Sequence, residues 1–420
     1  MRNFVYKLTI IICCFSALFS GCEKQSNDDQ EKKSTTLDLT KSELSLLKSN
    51  NEFGLTLFQT LYDQSEKDES IFISPLSVAY ALAMTYNGAN GSTKEAMENT
   101  LRLSGLTTEE INSSFKNLMD VLIGLDENVL FEIANSIWYE EKFFVVPDFV
   151  SVNQDYYNAE VSALDFSSVD AVTTINSWVA DKTHDKIPTI LDYISPDAVM
   201  FLINAIYFKG TWKYKFDETK TIERPFYSED GSHITCSTMV QQSDFYYTEN
   251  EIFEAAELPY GNEDFAMVIL LPKSSKKVKD IIEATNNENW DTWMNSFDEK
   301  RELQIYLPKI LVKYEELLNR PLIDMGMGVT FTGSADFSKI NPDIDLYVSF
   351  VKHKSFLEVD EEGTEAAAVT IVGLETTTSI GDNEPPPKLF EVDKPFVLAI
   401  RERSTNTILF MGCVYIPNEN

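Results

Sequence analysis

Three histidines, five cysteines and 35 lysines plus arginines in 420 residues exclude several common chemistries. His184, His233 and His353 are scattered, and neither a Gly-x-Ser-x-Gly elbow nor a His-Glu-x-x-His pair occurs, so hydrolase and zinc-protease sites of those kinds are absent. Ser-x-x-Lys does occur, at Ser45, Ser113, Ser274 and Ser349, but its repetition in a chain containing so much of both residues reads as coincidence. The basic residues are outnumbered by 67 aspartates and glutamates. A net charge of -32 repels phosphate backbones and anionic surfaces, which argues against nucleic acid as a partner. No metal and no cofactor is expected, and the chain is not expected to be an enzyme.

A run long enough to span a membrane as a helix is also lacking at the start. Met1 to Ser20 offers a short positive region, Arg2 and Lys7, and an apolar run of about thirteen residues, which suits a signal sequence. Leu18-Phe19-Ser20-Gly21-Cys22 resembles the bacterial lipobox, which implies lipidation of Cys22 and anchoring at the bacterial envelope, facing the periplasm or the cell surface. Residues 22–39 are polar and read as a disordered tether after a signal peptide of residues 1–21. Residues 40–420 show no linker-like break and read as one domain. Cys13 and Cys14 leave with the signal, so Cys236 and Cys413 remain. An oxidising compartment would permit them to pair, and the sequence leaves that open.

Thr40-x-x-Glu43 and Thr107-x-x-Glu110 form capping boxes before helical patterns, and Ser74 followed by Pro75 opens a run, Val78 to Met84, that is apolar all round. Ile175, Trp178 and Val179 suggest a further helix. Strand-like runs dominate later, at residues 203–208, 265–271, 303–307, 396–400 and 408–415. Helices first and strands later indicate an α+β domain.

One stretch organises the rest. In Glu361-Glu362-Gly363-Thr364-Glu365-Ala366-Ala367-Ala368-Val369-Thr370 the alternate positions Thr364, Ala366, Ala368, Thr370, Val372 and Leu374 would share one strand face, small first and bulky later. Thr376 to Asn383 then lacks any apolar period and reads as an exposed loop. This stretch resembles the reactive-loop hinge of the serpins, inhibitors that trap serine proteases by changing shape. The resemblance extends through Phe72-Ile73-Ser74-Pro75-Leu76-Ser77, Asn204-Ala205-Ile206-Tyr207-Phe208-Lys209-Gly210-Thr211-Trp212, Asp393-Lys394-Pro395-Phe396 and Ile408-Leu409-Phe410-Met411-Gly412.

The resemblance implies three β-sheets with about nine helices, an exposed reactive-centre loop, and a monomer. It implies a hinge at Glu361, Gly363, Thr364, Ala366, Ala367 and Ala368, and a polar "shutter" of Ser74, Ser77, Asn204 and His353. It also implies a "breach" of Lys309, Glu361 and Trp212, whose ion pair, if exposed, would contribute about 0 to 1 kcal/mol. Fourteen residues after Gly363 the scissile bond falls at Thr377-Thr378. The span of 32 positions from Gly363 to Pro395 is longer than in many members, which leaves that bond open to shift. The expected targets are elastase-like or subtilisin-like serine proteases, with cysteine proteases as a second class. Residues 369–383 contain no Lys or Arg, which disfavours a trypsin-like target. Glycosaminoglycan activation is not expected, because the helix after Thr107 has only Lys116 as a cation. The alternative is a non-inhibitory member that uses its loop as a cleavable sensor on a binding protein.

Overall fold

The computed structural model describes residues 35–364 and 386–418, which fall within a single unit, Ser34–Asn420. The signal segment, Cys22, the tether as far as residue 34, Ala366, Ala367, Ala368, Thr377 and Thr378 lie outside the described residues.

The helix starts form as their local chemistry dictates. The Glu43 amide donates to Thr40 Oγ1 at 3.3 Å and the Thr40 amide to the Glu43 carboxylate at 2.6 Å, which closes a capping box ahead of the helix Lys41–Gln64. Thr107 and Glu110 repeat the arrangement, at 3.2 and 2.8 Å, ahead of Thr108–Ile123. Ser74 caps Pro75–Tyr86, with Pro75 in the first turn where its missing N–H costs nothing. Almost every residue of that helix is buried, so it lies inside the molecule. It crosses Lys41–Gln64 so closely that a Cβ on Gly54 would overlap the Pro75 ring.

Fifteen strands are present among the described residues. They are β1 (Ile71–Ile73), β2 (Val129–Glu140), β3 (Glu160–Leu164), β4 (Met200–Thr211), β5 (Ile222–Tyr227), β6 (His233–Glu249), β7 (Phe253–Pro259) and β8 (Phe265–Pro272), then β9 (Lys300–Pro308), β10 (Ile310–Leu317), β11 (Lys352–Val359), β12 (Gly363–Thr364), β13 (Lys388–Glu391), β14 (Phe396–Glu402) and β15 (Ile408–Val414). With nine α-helices among the same residues, the domain is α+β.

A six-stranded sheet runs β10-β11-β12-β4-β2-β3, and a nine-stranded one runs β1-β15-β14-β8-β7-β6-β9-β13 with β5 on β6. The second sheet narrows where β6 meets β7 through Tyr246–Glu249 alone, so it divides into two lobes and the fold keeps the expected three-sheet character. β8 and β15 are apolar and buried along their length, as strands covered on both faces must be, and β7 and β14 are buried almost throughout, with Glu257 of β7 paired to Arg401 of β14 inside. β4 alternates buried and half-buried residues from Met200 to Tyr207, which marks one face as core and the other as partly wet. Cys236 lies in β6 and Cys413 in β15 opposite Ile71, and no disulfide joins the two.

Candidate functional site

The first two residues of the small-residue stretch already form a strand. Gly363 pairs with Thr211 and Thr364 with Gly210 of β4, while Thr364 also faces Val359 of β11. Among the described residues, β4 and β11 are linked only through this two-residue strand. Gly363 is required by contact, because a Cβ there would overlap the Gly210 carbonyl oxygen. The Thr364 side chain points inward, is 4 % exposed, and shares a hydrogen bond with the Tyr260 hydroxyl. Burial pushes the Tyr260 phenol up, so it stays protonated and able to donate. Beyond Thr364 a cleft follows the seam between the two long strands, lined by Ile206 and Phe208 of β4, Ser355 and Leu357 of β11, and Phe410. Across the same seam lies the segment after the helix Asp170–Lys182. There His184 Nε2 sits 2.6 Å from Glu132 on β2 and Lys186 Nζ 2.9 Å from Glu358 on β11.

The expected breach residues meet at the top of this sheet. Lys309 Nζ lies 2.7 Å from Glu361 Oε2, and the Thr221 hydroxyl donates to Glu361 Oε1 at 2.5 Å. Burial works against ionisation of Glu361, but Lys309 and Thr221 outweigh it and hold the carboxyl below its ordinary value. Glu361 is buried, and of the two only Lys309 reaches solvent. Trp212 Nε1 donates to the Asp360 carbonyl at 2.9 Å, its amide donates to the Glu362 carbonyl at 2.9 Å, and its ring stacks on Tyr260 at 4.5 Å. Asp360 Oδ1 accepts from the amides of Glu362 (2.9 Å) and Gly363 (3.3 Å), which fixes the turn into β12. Burial raises the Asp360 carboxyl against those two amides.

The four expected shutter residues also come together. Ser74 Oγ donates to the Leu409 carbonyl at 2.8 Å and accepts from the Ser77 amide at 3.2 Å. Ser77 Oγ donates to Asn204 Oδ1, and Asn204 Nδ2 donates to Asn135 Oδ1 at 2.7 Å. Asn135 Nδ2 ends the chain on the Tyr157 carbonyl at 2.7 Å. His353 enters through Nε2, which accepts the Ser74 amide at 3.2 Å, so that nitrogen carries no proton. Burial lowers the His353 pKa to about 4. Ser355 Oγ, two residues on, donates to the Phe72 carbonyl and pins β11 to β1.

The sequence reading missed Asn135, Tyr260, Thr221 and Asp360. Asp360 carried a readable signal, since an Asp before Glu-Glu-Gly suits an Asx turn. The other three meet their partners across 69, 104 and 140 residues, and nothing local marks them. Among the described residues, no group of His, Cys, Asp and Glu is arranged to hold a metal ion.

A family model described as Serpin (serine protease inhibitor) matches residues 48–417. The chain is 33 % identical over 380 residues to the leukocyte elastase inhibitor of Sus scrofa, covering 88 % of this chain and 98 % of that protein. The native-state crystal structure of the thermophilic serpin tengpin superposes with a TM-score of 0.80 at 31 % identity, covering 91 % of this chain and 96 % of that one. Thyroxine-binding globulin complexed with thyroxine superposes with a TM-score of 0.79 at 27 % identity, covering 89 % and 100 %.

Proposed function

The chain belongs to the serpin family, and on that premise we propose that it is an inhibitor that traps serine proteases as a suicide substrate. One observation carries the reading: Gly363–Thr364 stands as a strand between β4 and β11, which have no other ladder between them among the described residues. The bait bond, at Thr377-Thr378, is attacked by the protease serine to give an acyl-enzyme, which frees the far end of the loop. The remaining loop then extends β12 down the seam as a full central strand, an instance of strand addition with release of stored strain. If each new ladder bond nets about 1 kcal/mol, a dozen supply on the order of 10 kcal/mol, comparable with the whole stability of an ordinary domain.

Ala366, Ala367 and Ala368 act here as hinge residues small enough to pass between strands before water hydrolyses the ester. Ser74, Ser77, Asn204 and His353 serve as the shutter beneath the seam, and Lys309, Glu361 and Trp212 as the breach that holds it closed above. Val372 and Leu374 upstream of a Thr bait favour elastase-like or subtilisin-like targets, in keeping with the name of the pig relative. Lipidation of Cys22, with residues 22–39 as tether and residues 40–420 as the inhibitory domain, would hold this trap at a bacterial envelope.

A second reading has an observation of its own, the close superposition on a thyroxine carrier. On it the loop is a cleavable switch on a binding protein. The test mixes the mature domain with elastase-like, subtilisin-like, trypsin-like and papain-like proteases and resolves the products on denaturing gels. A heat-stable, SDS-resistant adduct with a released fragment beginning near Thr378 is the expected result. Cleavage without any adduct by every protease would favour the carrier reading.

A further inference from the structure

The helix Lys41–Gln64 ends beside β10, the outermost strand of the six-stranded sheet, and a groove of about 460 Å³ opens between them. Its walls come from the last helical turn (Leu61, Asp63, Gln64), from β10 (Tyr314, Glu316) and from the short helix Asn319–Leu322. The groove stands apart from the seam, since β10 lies on the far side of β11 from β12.

The lining favours one kind of ligand. Tyr314 is only 7 % exposed, yet among the described residues its hydroxyl has no hydrogen-bond partner. Burial, with Glu316 nearby, pushes the phenol up, so the hydroxyl stays neutral and keeps a lone pair for a donor that the chain does not supply. The carboxyl groups of Asp63 and Glu316 line the same space. Arg320, the one base in the lining, is 77 % exposed and turned to Asp324 at 3.2 Å. Gln64 Nε2 donates to that same Asp324 carboxylate at 2.9 Å, which closes the rim and leaves no base of the lining for Asp63 or Glu316. Glu316 Oε1 accepts from the Leu317 amide at 3.0 Å, a bond that keeps the negative charge in place. The 24-residue helix has no basic residue in its last turn, so the negative end of its dipole adds to the two carboxylates.

The groove is therefore short of positive charge. A bare metal ion does not answer that need, because no group of three or more His, Cys, Asp or Glu is gathered to hold one among the described residues. Leu61, Leu317 and Pro321 line the remainder, and apolar wall beside separated carboxylates suits methylenes carrying ammonium groups.

We propose that this groove binds a small aliphatic diamine. Its two ammonium groups pair with Asp63 and Glu316, one of them also donates to the Tyr314 oxygen, and its methylenes lie on Leu61, Leu317 and Pro321. In the ladder between β10 and β11, Tyr314 faces Ser355 and Glu316 faces His353, so the ligand sits one strand from the polar cluster around Ser74. Occupancy braces β10 against the helix Lys41–Gln64 and stabilises the uncleaved protein by mass action.

The test titrates the full chain calorimetrically with diaminopentane, pentylamine and pentanediol, and reads the thermal midpoint with and without the diamine. Asp63→Asn/Glu316→Gln and Tyr314→Phe are measured alongside. The expected result is saturable one-to-one binding of the diamine with a raised midpoint, about tenfold weaker binding of pentylamine and none of pentanediol. Tyr314→Phe should weaken diamine binding about tenfold and the double variant should abolish it, while the midpoints of both without ligand stay at that of the unsubstituted chain, which a purely structural role would not allow. Equal diamine binding by the double variant, or pentanediol binding as tightly as the diamine, would overturn the proposal. So would the absence of any binding heat from the unsubstituted chain at millimolar diamine. Tighter binding of the capped peptide acetyl-Gly-Lys-Gly-amide than of the diamine would reassign the groove to a lysine side chain of a protein partner and overturn the diamine.

Discussion

The Ser74 amide donates to His353 Nε2 at 3.2 Å, a bond between the start of the buried helix Pro75–Tyr86 and the sheet strand β11. It exists only while that nitrogen carries no proton, so the junction between helix and sheet is tied to the charge state of one buried imidazole.

Stability should therefore be lost as pH drops through a defined window. His353 has a folded pKa of about 4, below the value of 6.5 for an unperturbed histidine. The unfolded chain binds a proton as pH drops through 6.5 while the fold refuses it until about 4, so stability rises with pH across that interval. The contribution is on the order of 3 kcal/mol, complete above about 6.5 and absent below about 4. Thermal midpoints measured across this range should slope upward with pH, and His353→Gln should flatten the slope. An unchanged slope in that variant would assign the pH dependence to other groups.

Asn135 is predicted to matter as much as the serines that sequence resemblance picks out. It accepts from Asn204 and donates to the Tyr157 carbonyl, so Asn135→Ala takes these partners from the half-buried Asn204 amide and the buried Tyr157 carbonyl. The expected loss is about 1 to 3 kcal/mol, read as a lowered denaturation midpoint together with earlier spontaneous loss of inhibitory activity. A midpoint equal to that of the unsubstituted chain would show that water or a neighbour replaces the amide.

The breach pair is predicted to act through coupling. Glu361 is buried and holds Lys309 and Thr221 at once, so Glu361→Gln should cost about 1 to 2 kcal/mol, whereas Lys309→Met, on the solvent side, should cost less. A double-mutant cycle measured by denaturant titration isolates the pair, and a coupling near zero would assign the whole effect of Glu361 to Thr221. Because Lys309 and Thr221 hold the Glu361 carboxyl low, this contribution is present above the ordinary carboxylate range and is lost as pH falls below it.

Gly363→Ala is predicted to separate cleavage from trapping. Its Cβ would overlap the Gly210 carbonyl oxygen, which forces β12 away from β4 at the point where insertion starts. The loop should be cut at its usual rate while the number of inhibitor molecules consumed per trapped protease rises severalfold. Titration against a protease of known active-site concentration gives that number directly, and an unchanged value would place the start of insertion beyond Gly363.

The sequence by itself determined the local pieces. The capping boxes at Thr40 and Thr107, the cap at Ser74, the apolar runs of β8, β14 and β15, and the small residues after Gly363 are each written within a few neighbours, because periodicity and capping are short-range effects. Motif resemblance also brought Ser74, Ser77, Asn204, His353, Lys309, Glu361 and Trp212 into view as groups. Only the tertiary structure decided how those groups are wired. It buried Glu361 at the breach, extended the polar cluster to Asn135, and gave Thr364 its partner in Tyr260. The reason is that burial and hydrogen-bond partnership are properties of chain segments a hundred residues apart, and packing alone brings them within 3 Å of each other.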